Sequence, residues 1–219
     1  KAGEPSLTEM TEKAIKMLRK DRDGFFLHVE SGRIDHAHHA GNAYRALTDA
    51  IEVSKAIKTA MTKVDLKDTL IIVTADHSHV FTIAGYPTRG NPILGKVVGN
   101  DGAGNPKTSP QLAADQLPYT TLGYTNGRGF HNLPVGGDSV YGEPINAGRA
   151  DLMGVDTTGQ GFHQEALIPL GSETHAGEDV AVYAGGPGAH LLHGVQEQNV
   201  IYHVMRTATR LKVKGNEED

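Results

Sequence analysis

Thr69-Leu70-Ile71-Ile72-Val73-Thr74 is a β-branched, unbroken apolar run that leads straight into Ala75-Asp76-His77. An apolar run without alternation reads as a strand buried on both faces, as in parallel sheets covered by helices. Working outward, Ala43, Leu47, Ala50, Ile51, Ile57, Ala60 and Met61 recur at helical spacing and predict a long amphipathic helix to about residue 63. Before it, Asp23-Gly24 turns into a second buried strand, Phe25-Phe26-Leu27-His28-Val29. Ser6-Leu7-Thr8-Glu9 is a capping box, and Leu7, Met10, Ala14, Met17 and Leu18 continue it as a helix over 7–20. A helix–strand–helix–strand order of this kind predicts an α/β fold around a parallel sheet.

The regular pattern stops near residue 85. From there to about 170 the chain is rich in Gly, Pro and Asn, as in Gly99-Asn100-Asp101-Gly102-Ala103-Gly104-Asn105-Pro106, with one candidate strand over 117–125. The block keeps aromatic and aliphatic residues, so it reads as an inserted, loop-rich subdomain, with disorder as the alternative. A third buried strand is expected at Asp179-Val180-Ala181-Val182-Tyr183-Ala184. A last helix follows through Val200, Ile201, Val204, Met205, Ala208 and Leu211, then an acidic tail, Gly215 to Asp219. The expected organisation is an α/β core part over 1–84, an insertion over 85–170, and a return to the core over 171–219.

With 219 residues the chain can bury a full core. A formal charge of −5 gives no basic face for nucleic acid, and the lysines and arginines over 13–22 are interleaved with Glu12, Asp21 and Asp23. There are no cysteines, so thiolate metal sites and thiol catalysis are excluded within this stretch. No apolar run approaches the roughly 20 residues of a membrane-spanning helix. The opening Lys-Ala-Gly-Glu-Pro-Ser lacks an initiator Met and signal-peptide character, and reads as a processed terminus or a cut in a longer chain.

Chemistry concentrates where strands end. Glu30-Ser31-Gly32-Arg33-Ile34-Asp35-His36-Ala37-His38-His39 follows the strand at 25–29. If a helix begins near Asp35, then Asp35 and His39 share a face and can converge on one ion. Oxygen and imidazole donors suit zinc, whereas the separate carboxylate of Glu30 suits a harder ion such as magnesium. Asp76 and His77 form a second candidate pair, with His79 close enough to orient a ligand. The polar loop Glu173-Thr174-His175-Ala176-Gly177-Glu178-Asp179 offers one more imidazole, His175.

Glu30–His39, Thr74–His79 and Glu173–Val180 together resemble the alkaline phosphatase family, closest to the branch with a crown subdomain at the dimer interface. Tyr44-Arg45-Ala46-Leu47, Gly85-Tyr86-Pro87 and His193-Gly194-Val195-Gln196-Glu197-Gln198 extend the likeness, which is weakest over 97–165. The resemblance implies a three-layer sandwich built on a parallel sheet, with 85–170 as the crown. It implies two Zn2+ and one Mg2+. Asp35, His39 and His175 would hold one zinc, Asp76 and His77 would supply two ligands of the other, and Glu30 would bind magnesium. His36 and His79 would be supporting residues, with His38 pointing away.

The implied activity is hydrolysis of phosphate monoesters through a phosphoserine intermediate, in a homodimer that is periplasmic or extracellular. The family's nucleophile lies in an Asp-Ser-Ala segment, and none occurs in these 219 residues; Asp138-Ser139-Val140 falls in the loop-rich block. The bridging aspartate and a phosphate-binding arginine have no match either. The chain therefore resembles the C-terminal half of such an enzyme, inactive without its N-terminal part. Alternatives are a phosphodiesterase or phosphomutase of the same metallohydrolase superfamily, or a non-catalytic zinc-binding fragment.

Overall fold

The computed structural model describes residues 3–134 and 139–209. The expectations for Asp138, Leu211 and the acidic tail lie outside the described residues. In chain order the helices are α1 (Leu7–Leu18), α2 (Arg33–His39), α3 (Ala43–Lys63) and α4 (Val200–Thr209). The strands are β1 (Ile71–Val73), β2 (Ser78–His79), β3 (Phe81–Ile83), β4 (Leu122–Gly127), β5 (His131–Asn132), β6 (Phe162–His163), β7 (Ala166–Pro169), β8 (His175–Ala176) and β9 (Tyr183–Gly185). The chain divides into two compact units, one of residues 1–28, 54–77 and 178–219, the other of 29–53 and 78–177.

In the first unit α1 begins as its sequence dictates. The Ser6 side chain accepts from the Glu9 amide at 3.2 Å and the Glu9 carboxylate accepts from the Ser6 amide at 2.8 Å, so two orphan donors of the first turn are satisfied. The helix ends at Leu18, two residues short of expectation, with Arg19 as its cap. Ile15, Ala56 and Val204 are buried in this unit. β1 pairs with β9, Ile71 opposite Gly185 and Val73 opposite Tyr183. Gly186 then passes so close to Thr69 that a β-carbon there would clash with its carbonyl oxygen, a position only glycine fits.

The pairing corrects two sequence expectations. β1 and β9 run antiparallel, and among the described residues the parallel pair is β4 with β7. Ile71 to Val73 are half-buried rather than buried on both faces, and an unbroken apolar run carries no information on the direction of the neighbouring strand. The run 25–29 is not a strand, and Phe26 is 67% exposed. A β-branched or aromatic run becomes a strand only where a neighbour takes up its ladder hydrogen bonds.

The second unit holds α2, the first turns of α3 and strands β2 to β8. Its largest sheet orders β3-β4-β7, with Phe81 opposite Tyr124 and Tyr124 opposite Ala166. Val97, Leu122, Val140, Leu152 and Phe162 are buried there. Much of the loop-rich block is held by cations on carbonyls rather than by ladders. Lys96 Nζ donates to the carbonyls of Leu152, Met153 and Val155 at 2.6, 2.9 and 2.8 Å. Arg128 donates to the carbonyls of Val140, Glu143 and Gly171. Arg149 reaches the Leu117 and Pro118 carbonyls and pairs with Glu165. Such ties leave no periodic trace in a sequence.

The link between α2 and α3 is clamped from the β5–β6 side of this unit. Asn42 caps α3 by accepting from the Arg45 amide at 2.9 Å, and its amide donates to the Gln160 carbonyl at 2.9 Å. The Gln164 side chain accepts from the Ala43 amide, and the Gln164 amide donates to the Gly41 carbonyl. His163 Nδ1 sits 2.6 Å from the Ala40 carbonyl. Burial lowers the His163 pKa to about 4, so its imidazole is neutral at pH 7 and donates from Nδ1.

Candidate metal centre

The second unit brings four imidazoles and two carboxylates together. α2 carries Asp35 and His39 on one face, one helical turn apart, with His39 Nε2 3.3 Å from Asp35 Oδ1. The β2–β8 ladder sets His79 directly opposite His175. His175 Nε2 lies 3.3 Å from Asp35 Oδ1 and 3.1 Å from His39 Nε2. His79 Nε2 lies 3.2 Å from the same Asp35 oxygen.

Three of these atoms form a triangle with a chemical meaning. Zinc bonds nitrogen and oxygen at about 2.0–2.1 Å, so two ligand atoms of a tetrahedral site lie about 3.3 Å apart. Asp35 Oδ1, His39 Nε2 and His175 Nε2 have edges of 3.3, 3.3 and 3.1 Å. The donor set, one carboxylate and two imidazoles, is a zinc set that leaves a fourth position open. His175 is half exposed, so that position is reachable.

Glu173 lies beneath this triangle and is 1% exposed. Its Oε2 is 2.8 Å from His79 Nδ1 and 3.4 Å from His39 Nδ1, and its Oε1 accepts from the Val80 amide at 2.9 Å. His39 Nδ1 also contacts the Glu173 carbonyl at 2.6 Å. Sequence reasoning gave Glu173 no role of its own. A clue was present: two carboxylates, Glu173 and Glu178, flank the His175 loop, and a buried one needs donors.

His38 also departs from expectation. It does not point away: its ring stacks on His79 at 4.6 Å between centroids, and Nδ1 meets the Tyr124 hydroxyl at 2.9 Å. Burial, with His79 beside it, lowers the His38 pKa to about 4. Burial also raises the Tyr124 pKa, the Glu173 carboxylate adding to it, so the phenol stays protonated and donates to a neutral imidazole.

The other sequence candidates are exposed residues of the second unit or belong to the first. Glu30 is exposed ahead of α2, and His36 is exposed on α2. Neither is in a cluster of converging metal-ligating atoms among the described residues. Asp76 and His77 lie beyond β1 in the first unit, His77 Nε2 being 3.3 Å from Asp76 Oδ2.

Comparison with known proteins identifies relatives of the whole chain. The family model for alkaline phosphatase matches residues 1–211. The tissue-nonspecific alkaline phosphatase of Felis catus is 48% identical over 206 residues, and that of Homo sapiens is 46% identical over 206. In both cases the match covers 94% of this chain and 35% of the relative. An alkaline phosphatase of Gadus morhua is 44% identical over 213 residues, with 95% of this chain and 39% of the relative covered. The chain thus spans little more than a third of the length of these relatives.

Among solved structures, the alkaline phosphatase of the Antarctic bacterium TAB5 aligns with a TM-score of 0.54 at 22% identity, covering 97% of this chain and 43% of that one. A mutant of the same protein with Mg bound gives 0.53 at 24% identity, covering 94% and 42%. At that identity the likeness speaks for the fold, which is alkaline phosphatase-like. By the match over residues 1–211, this chain belongs to the alkaline phosphatase family.

Proposed function

We propose that this chain carries part of the metal centre of a phosphomonoesterase, with Asp35, His39 and His175 as the protein ligands of one zinc. The observation that carries the reading is the triangle of 3.1 to 3.3 Å edges among Asp35 Oδ1, His39 Nε2 and His175 Nε2. Asp76 and His77 supply two ligands of a second zinc, and Glu30 is a ligand of one magnesium; these follow from motif likeness to the family. His79 supports the centre through its contact with Asp35. The complete enzyme has a three-layer sandwich fold with residues 85–170 as its crown, and works as a homodimer outside the cytoplasm.

Zinc held by these residues would supply Lewis-acid stabilisation of the charge that develops on oxygen during phosphoryl transfer. This chain's residues prepare that site. Asp35 contributes the negative charge that keeps a dication in place. His39 turns its Nε2 to the site while its Nδ1 lies 2.6 Å from the Glu173 carbonyl, and His175 presents its own Nε2 beside it at 3.1 Å. The fourth position opens toward solvent beside half-exposed His175, where a phosphate monoester can approach. The serine nucleophile of a phosphoserine pathway lies on polypeptide outside this sequence.

The test uses the intact protein that contains this chain. A chelator should abolish hydrolysis of 4-nitrophenyl phosphate, and zinc with magnesium should restore it. Faster hydrolysis of the bis-ester than of the mono-ester would instead identify a phosphodiesterase. Mono-ester turnover that survives complete removal of zinc would overturn the reading.

A further inference from the structure

Glu173 has features that a surface loop residue would lack. It is 1% exposed, and both of its carboxylate oxygens face nitrogen atoms. An ionised carboxylate in a dry setting is costly unless every oxygen is matched by donors. The matching groups here are the amide of Val80 and the Nδ1 atoms of His79 and His39. Both rings turn their other nitrogen, Nε2, to the Asp35 oxygen.

The backbone of Glu173 repeats the attachment. Its amide donates to the His39 carbonyl at 3.1 Å, and its carbonyl is 2.6 Å from His39 Nδ1. One residue therefore holds the end of α2, the end of β2 and the approach to His175, two positions further on. We infer that Glu173 is the positioning residue of the metal centre: it fixes the Nδ1–H tautomer of His39 and His79 and sets the three ligand atoms at zinc spacing before any ion arrives.

The chemistry supports the direction of the effect. A ligating imidazole is oriented and made more basic when its far nitrogen donates to a carbonyl or carboxylate. Here the carbonyl serves the ligand His39, and the carboxylate reaches both His39 and His79, whose Nε2 contacts the ligand Asp35. The inference rests on the zinc reading of the Asp35–His39–His175 triangle.

The same atoms admit a rival reading, in which Glu173 Oε2, His39 Nδ1 and His79 Nδ1 themselves ligate an ion. The 2.6 Å contact of His39 Nδ1 with the Glu173 carbonyl argues against it, because that nitrogen already carries its proton toward an acceptor. The two readings differ in stoichiometry. A positioning residue changes the affinity of a zinc that is still bound, whereas a ligand removes one zinc per chain.

The experiment measures zinc affinity by competition with a chromogenic chelator in the intact protein, for wild type, Glu173→Gln, Glu173→Asp and His175→Ala. Melting of each in the chelated state reads the structural role separately. Glu173→Gln keeps the shape but has one acceptor where two are needed, and should weaken one zinc by roughly 10–100-fold with the number bound at saturation unchanged. Glu173→Asp keeps the charge but falls short by one methylene and should also weaken binding; it carries the test if the glutamine variant does not fold.

Zinc affinity within twofold of wild type in a folded Glu173 variant overturns the inference while leaving the triangle standing, provided His175→Ala loses zinc. Loss of one zinc at saturation in Glu173→Gln also overturns it, in favour of direct ligation. If wild type and His175→Ala bind zinc alike, the triangle itself is wrong and the inference falls with it.

Discussion

The Nε2 atoms of His39 and His175 lie 3.1 Å apart across 136 residues of chain. Two imidazole lone pairs held at that distance repel unless a proton or a cation lies between them. Asp35 Oδ1, 3.3 Å from each, completes a face that a dication satisfies.

Replacing His175 with alanine in the intact protein should therefore lower zinc content and phosphatase activity together. The affinity loss should exceed the roughly 10–100-fold typical of an outer-shell change, because a ligand is lost. Metal analysis beside activity checks this, and normal zinc occupancy would show that His175 is not a ligand.

The 219-residue chain by itself should not hydrolyse a chromogenic phosphate ester, even with zinc and magnesium added, since it contains no Asp-Ser-Ala nucleophile segment. Assay of the purified chain settles the point. Turnover that depends on metal and follows the chain through purification would refute it.

His163 predicts an acid weakness. Its folded pKa of about 4 lies below the ordinary 6.5, so between those values the unfolded chain binds more protons. Its stabilising contribution is present above pH 6.5 and is lost as pH falls toward 4, up to about 3 kcal/mol. Denaturant midpoints from pH 7 to 4.5 should fall less steeply in His163→Asn than in wild type. His38 shifts in the same direction, so some slope will remain. Parallel curves for the two proteins would remove His163 from the account.

Asn42→Ala should cost about 2 kcal/mol, from the lost cap on Arg45 and the lost donation to the Gln160 carbonyl. The denaturation midpoint should drop, and far-ultraviolet helicity in the folded state should barely change. An unchanged midpoint would mean that the Gln164 contact with Ala43 holds the α3 start alone.

What the sequence made legible was local. The Ser6–Glu9 box starts a helix because both partners lie within one turn, and the i,i+4 spacing of Asp35 and His39 survives as a 3.3 Å contact. The apolar run 69–74 marks a strand, yet its antiparallel partner at 183–185 could not be read, since strand direction is set by distant hydrogen bonds. Phe25 to Val29 has strand composition but no ladder. Glu173 was hidden for the same reason: the groups that satisfy its carboxylate are 93 and 94 residues away.

The β2–β8 ladder, joining Ser78–His79 to His175–Ala176, also constrains when an ion can be captured. Contacts of such sequence separation close slowly, after the loop-closure entropy of the intervening chain has been overcome. A ribosome must release residues through at least His175 before that imidazole can reach Asp35 and His39. On the proposed zinc reading, metal loading is thus a late event in the life of the nascent chain, and until then the helix bearing Asp35 and His39 offers an ion only a partial grip.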